Sequence, residues 1–91
     1  MRYRSDLERL TTLDAATIER ACADPSALPG LITIAADESL EFDIRAEEAE
    51  ATGDADYAAF CGQESAAWRA TVTLLRTMAT AASIPAERRS A

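Results

Sequence analysis

Residues 57–82 read YAAFCGQESAAWRATVTLLRTMATAA, and this stretch decides the fold of the 91-residue chain. Apolar side chains recur in it at alternating spacings of four and three residues, the period of an amphipathic helix that buries one face. The pattern predicts a long helix with a heptad-like apolar seam, ending near Ser83 and Pro85. The seam comprises Tyr57, Cys61, Glu64, Trp68, Thr71, Leu75, Met78 and Ala82, broadened by Phe60, Val72 and Ala79.

The preceding segment, residues 31–52, carries two conflicting signals. Leu40, Phe42 and Ile44 alternate with charged residues as they would in a strand, so a short hairpin over 31–46 is the alternative interpretation. Ala and Glu dominate the second half of the segment and are strong helix formers, which is why we favour a helix. Its apolar stripe would comprise Leu31, Ala35, Phe42, Ala46 and Ala49, with Leu40 and Ile44 on the opposite side.

Gly53 and Asp54 mark the boundary between these two elements. Glycine is favoured just after a helix, where the backbone turns left-handed, and aspartate is favoured as the residue that caps the next helix. The connection is therefore short, and helices joined by a short loop pack as antiparallel neighbours.

The first 30 residues predict shorter elements. Ser5 and Glu8 fit a capping box, and residues 5–23 form either one helix or two helices that meet near Thr12–Asp14. Two proline-containing breaker pairs then predict a connector over residues 24–30.

Together these elements predict an all-α fold, a small antiparallel bundle of three to four helices. We expect a single helical domain over residues 1–85 and a flexible C-terminal tail at 86–91. The alternative is an α+β fold with a short hairpin at 31–46. A core made mainly of Ala, Leu and Ile is thin, which favours help from a partner or a second copy.

The net charge of the chain, −7, originates in one segment. Residues 37–56 hold nine acidic side chains and one arginine, Arg45. A negative field concentrated in this way attracts a basic partner and repels nucleic acid, so direct nucleic-acid binding is not expected. The acids are Asp37, Glu38, Glu41, Asp43, Glu47, Glu48, Glu50, Asp54 and Asp56.

The composition argues against catalysis. The chain has no histidine, the usual general base, and only three glycines, which form no phosphate-binding motif. Cys22 and Cys61 match no metal-ligand or redox spacing, so we interpret them as small core residues, with a disulfide as the lesser alternative. We therefore expect no enzyme activity, no catalytic residues, no cofactor and no dedicated metal site.

Two residues of the seam have alternative interpretations. Glu64 either sits at the seam edge with its carboxylate in solvent, or is partly buried and paired with an arginine such as Arg20 or Arg45. Trp68, the only tryptophan, is interpreted as a core anchor, although exposure would make it a candidate binding residue.

Three functional hypotheses follow. The first is a non-catalytic acidic protein that binds a basic surface of a larger protein, for example in a nucleic-acid-binding complex, and blocks or regulates it. Anti-CRISPR inhibitors and DNA mimics are analogous in size and charge only. The second is a helical structural subunit that forms a homodimer, and the third is an antitoxin or transcriptional regulator module.

The first hypothesis makes the acidic segment the partner-binding site. No stretch of the chain is apolar enough to span a membrane, and no signal peptide is evident, so we expect no membrane partner and a cytoplasmic location. The segment's charge would otherwise serve only to keep an Ala-rich bundle soluble. The candidate contact residues are Asp37, Glu38, Glu41, Asp43, Glu47 and Glu48, around an apolar centre of Leu40, Phe42 and Ile44.

Overall fold

A computed structural model describes residues 2–83 and shows four α-helices in this range, with no strand. The elements in chain order are α1 (Arg2–Leu10), α2 (Ala15–Ala23), a 3₁₀ turn (Pro25–Ala27), α3 (Leu28–Ala51) and α4 (Ala55–Ser83). The predicted all-α fold is confirmed, and the alternative hairpin at 31–46 is wrong. The predicted tail at 86–91 lies outside the described residues, as does Pro85.

The residues of α3 that alternate as in a strand lie on different sides of the helix. In a helix, Leu40 and Ile44 are one turn apart and share the exposed side, where 59% and 51% of their surfaces remain accessible. Phe42 turns toward α4 instead and is half-buried. The alternation is confined to residues 40–47, whereas the Ala and Glu residues of the whole segment favour the helix.

The N-terminal part forms two helices because the helical conformation ends after Leu10. Thr11 adopts a left-handed conformation with φ 54°, which an α-helix cannot accommodate. Asp14 then caps α2 by accepting a 2.7 Å hydrogen bond from the backbone N–H of Thr17. Hydrogen bonds from Thr17, first from its side chain and then from its backbone, lower the pKa of Asp14 below its ordinary value.

Two details of the N-terminal prediction are wrong. Helix α1 begins at Arg2, so Ser5 lies inside it and cannot cap its start. Helix α3 begins at Leu28, so Pro29 and Gly30 belong to its first turn and not to a connector. Proline is tolerated there because the N–H that it lacks has no helical partner in the first turn.

The connection between α3 and α4 is confirmed as a short glycine-containing turn. Gly53 has φ 81°, and its N–H donates to the carbonyl of Glu50 at 3.1 Å, while the N–H of Asp54 donates to Ala49 at 2.8 Å. These two bonds form a Schellman motif that satisfies carbonyls left free at the helix end. Asp54 also caps α4 by accepting a 3.1 Å bond from the N–H of Tyr57.

The hydrophobic core lies at one end of the α3–α4 pair, where α1 and α2 cover it. A hydroxyl–hydroxyl hydrogen bond of 2.6 Å from Thr12 to the buried Thr71 joins the loop after α1 to α4. Burial of aliphatic side chains at this end stabilises the fold. The cluster consists of Leu7, Ile18, Ala21, Leu28, Leu31, Ala35, Val72, Leu75 and Met78.

Beyond this core, the two long helices continue alone. Residues 37–67, the far part of the α3–α4 pair, are called the arm. They contribute no member of the cluster and no half-buried apolar side chain packed on it. The molecule is accordingly elongated, with extents of 55 × 20 × 19 Å. Small side chains fill the helix–helix interface of the arm: Ser39, Ala49, Ala58, Cys61 and Ser65.

Candidate functional site

The exposed side of α3 along the arm carries most of the predicted partner-binding residues. Its centre is the pair Leu40 and Ile44, which lie one helical turn apart. Acidic side chains border this pair on both sides, so the surface combines an apolar centre with a negative rim. We define the α3 outer face by its six exposed residues: Asp37, Leu40, Glu41, Ile44, Glu47 and Glu48.

Three predicted residues lie off this face. Glu38 is half-buried on the side of α3 toward α4, and Phe42 is half-buried beside α4, so Phe42 does not join Leu40 and Ile44 in one patch. Asp43 is also half-buried and is engaged by side chains of α4. The structure therefore brings together six of the nine predicted residues and directs three of them inward.

The carboxylates of the outer face are largely uncompensated. Glu41 pairs with Arg45 one turn later at 3.4 Å, and both side chains are about half exposed, so this ion pair is weak. Asp37, Glu47 and Glu48 have no ion-pair partner within residues 2–83. Carboxylates that are solvated and unpaired keep their full charge available for a partner.

Asp43 instead helps to fix α3 against α4. Its Oδ1 accepts a 2.5 Å hydrogen bond from the hydroxyl of Ser65, which is fully buried, and a 2.9 Å bond from Nη2 of Arg69. The same Nη2 donates to Ser65 Oγ at 2.7 Å. The Ser65 hydroxyl also lies 3.1 Å from the carbonyl of Ser39. This network sets the register of the arm, so Asp43 has a structural role.

An aromatic cluster occupies a flank of the arm. Phe42 and Phe60 meet edge to face with ring centroids 6.4 Å apart, and Tyr57 stacks on Phe60 at 6.2 Å. The guanidinium of Arg45 lies 5.2 Å from the centre of the Phe42 ring, a cation–π distance. Tyr57 and Phe60 remain 44% and 51% exposed, although the sequence seam predicted both as buried.

The other residues singled out in the sequence, Glu64, Trp68 and the two cysteines, are buried or half-buried within the fold. Glu64 is half-buried and makes no ion pair within the described residues, and Arg45 pairs with Glu41 instead. Trp68 packs against the core cluster while half-buried, as expected for a core anchor. Both cysteines are free thiols: Cys61 is fully buried, and Cys22 packs on the core.

Neither a metal site nor a membrane span is found within residues 2–83. No group of three or more potential ligand side chains in this range is arranged to hold a metal ion. None of the helices in the same range has the length and apolar character required to cross a membrane.

Sequence reasoning missed Ser65 and the aromatic flank. A serine within a helix is usually interpreted as a surface residue, and Ser65 can be buried because its hydroxyl has partners in Asp43, Arg69 and the Ser39 carbonyl. The aromatic flank was hidden because Phe42 belongs to one helix and Phe60 to the other. The spacing of three residues between Tyr57 and Phe60 was the one available signal.

Comparison with known proteins gives the family. The sequence model of the TY-Chap C-terminal domain matches residues 1–82, which include α1, α2, α3 and nearly all of α4. The chain belongs to this family. No curated protein and no solved structure matches the chain. A TY-Chap C-terminal domain is a domain of the chaperone type, and this membership indicates a protein-interaction role.

Proposed function

We propose that this TY-Chap C-terminal domain binds a basic surface of a larger client protein through the α3 outer face, and thereby shields or regulates that surface. The observation that carries the proposal is the pair of exposed aliphatic side chains, Leu40 and Ile44, with acidic side chains around it. Three of these acids, Asp37, Glu47 and Glu48, have no ion-pair partner within residues 2–83. The apolar pair would supply contact area, and the acids would select a positively charged client.

The distribution of charge over the molecule supports this surface over the others. Helix α3 carries seven acidic residues and one arginine, whereas α4 carries two of each sign. The field is therefore strongest on one side of the arm, where it increases the rate of encounter with cationic partners at low ionic strength. The same field repels phosphate backbones, which is why we propose a protein client and not nucleic acid.

The other two hypotheses receive less support. Self-association through the α4 seam requires that seam to be free, but Cys61, Leu75 and Met78 are buried within the chain's own fold. A DNA-contacting N-terminal part requires a cluster of free cations, yet Arg4 is paired with Glu19 at 2.8 Å. The analogy with anti-CRISPR proteins and DNA mimics rests on size and charge alone.

A peptide-binding measurement tests the proposal. The probe is a fluorescent peptide of about 20 residues in which Lys and Arg are spaced by Gly and Ser, and its counterpart carries Glu at the same positions. We expect the cationic peptide alone to bind, with an affinity that falls as salt rises, because salt screens exposed charges over roughly 10 Å at 0.1 M.

Matched charge variants locate the contact. Replacing Asp37, Glu47 and Glu48 with Gln should weaken binding about fivefold, because an exposed ion pair contributes roughly 0.3 kcal/mol and three contribute about 1 kcal/mol together. The control removes three acids elsewhere, at Glu8, Asp56 and Glu64, and should change the affinity much less. Absence of binding by the cationic peptide, or equal losses in the two triple variants, would refute the proposal.

A further inference from the structure

The apolar centre of the α3 outer face has the spacing of a helix-packing ridge. Leu40 and Ile44 are four residues apart, so their side chains lie roughly 6 Å apart along the axis and on the same side. Ile34 is 52% exposed but lies about a third of a turn around the helix, so it does not extend this ridge. The ridge is thus short and has a defined direction along α3.

The backbone of α3 restricts how a partner can bind there. The ridge lies in the interior of a continuous α-helix from Leu28 to Ala51, where the N–H groups bond to carbonyls one turn earlier. An extended peptide would therefore find no free backbone groups with which to form a strand ladder, and recognition must use side chains. Side-chain ridges of spacing four are best matched by the grooves of another helix.

The fold already uses this mode of packing at its other end. There α1 packs on α4 and supplies the fully buried Leu7 to the core, whereas the arm over residues 37–67 is only two helices thick. A partner helix on the outer face would give the arm a third helix as well. Acids on both borders of the ridge require the flanks of that helix to be basic.

We propose that the client presents a single cationic amphipathic helix, which packs along α3 with apolar side chains at spacings of three and four on Leu40 and Ile44. Its Lys and Arg residues face Asp37, Glu41 and Glu48 on one border and Glu47 on the other. This inference rests on the proposed function and specifies the client. A second copy of the chain fits poorly, because it would set one acidic face against another.

The test compares three peptides of about 18 residues, or five helical turns. The first is helical, with Leu at spacings of three and four and Lys or Arg elsewhere. The second has the same composition in an order that destroys the amphipathic face. The third is the first with Glu in place of every basic residue. We expect the first peptide to bind about tenfold more tightly than the second, and the third not to bind.

Variants of the ridge distinguish the contributions. Leu40→Gln with Ile44→Gln should abolish the tenfold difference between the first two peptides, because it removes the apolar contact and keeps every charge. Ile34→Gln is the matched control: it removes an equally exposed aliphatic side chain from another side of α3 and should preserve the difference.

Each alternative result has a defined meaning. Equal affinities for the first two peptides, unaffected by the ridge variant, would overturn the helix inference while leaving the proposed function intact. Failure of both cationic peptides to bind would overturn both proposals. A dimer of the unliganded protein in sedimentation, dissociated by Leu40→Gln with Ile44→Gln, would assign the ridge to a second copy and overturn the inference.

Discussion

At Gly53 the backbone has φ 81°, the left-handed conformation that ends α3 and starts the turn into α4. A side chain at this position would be strained even though no other atom lies within 4 Å of where its Cβ would be. Gly62 also has open space around it, but it lies within α4 and has no such backbone requirement. Substitution of glycine by alanine should therefore have opposite effects on stability at these two positions.

We predict that Gly53→Ala lowers the free energy of unfolding by about 1–2 kcal/mol, the cost of a left-handed conformation for an L-residue. Gly62→Ala should raise it by about 0.5–1 kcal/mol, because alanine loses less entropy than glycine in a helix. Urea denaturation of both variants measures the difference. Equal effects of the two substitutions would contradict the conformational argument, and Gly53→Asn should recover part of the loss because Asn tolerates this region.

At the scale of the elements, the arm differs from the covered end in how it is held together. The covered end buries Leu7, Leu28 and Leu75 completely. The buried side chains of the arm interface are Ala, Ser and Cys, with one polar network and a partly exposed edge-to-face pair of phenylalanines beside them. Small side chains bury little apolar surface, so each turn of the arm gains less free energy on packing. Local opening is therefore expected to begin in the arm.

Hydrogen exchange monitored residue by residue tests this difference. We predict that the amides of residues 42–47 exchange about tenfold faster than those of residues 32–35, although both sets lie well inside α3. The same contrast should hold in α4 between residues 62–66 and 72–76. Uniform protection along both helices would show that the molecule opens only as a whole.

The sequence predicted the elements better than their environment. The seam of α4 was recognisable because Leu75, Met78 and Val72 keep the helical period and are buried. The strand signal in α3 came from the alternation of Leu40, Phe42 and Ile44 with charged residues. Leu40 and Ile44 are exposed and Phe42 is half-buried because of where α4 packs, which local propensity does not show. The burial of Ser65 depends on its hydrogen bonds with Arg69, one turn later, and with Asp43, which lies in the other long helix. No local sequence pattern could therefore predict that Ser65 is buried.

At the scale of the whole molecule, the body is elongated and the chain has a net charge of −7, and four of its carboxylates lie together on the α3 outer face. The acidic character of the outer face could be predicted from composition alone. Composition could not show that Glu38, Phe42 and Asp43 lie off this face, because that depends on the direction of each side chain. Which end of the helix pair is covered could not be predicted either, because α1 packs on α4, which is far from it in the sequence.

The acids of the outer face also repel one another, for example Asp37 and Glu41 at a spacing of four residues. We predict that raising the salt concentration from about 10 to 150 mM raises the melting temperature by about 4–8 °C, corresponding to roughly 1 kcal/mol for a chain of this size. Replacing Asp37, Glu47 and Glu48 with Gln should raise the low-salt melting temperature and reduce the salt response. An unchanged salt response would place the repulsion elsewhere.

Trp68 stands where the covered end meets the arm, half-buried against the core cluster. It is the only tryptophan, so tryptophan fluorescence, excited at wavelengths that Tyr3 and Tyr57 do not absorb, reports on this one place. Fraying of the turn around Gly53, roughly 20 Å away along α4, leaves the emission unchanged, whereas detachment of α1 and α2 shifts it toward longer wavelengths. The chain thus carries its own optical probe, which separates loosening of the tip from loss of the core without any added label.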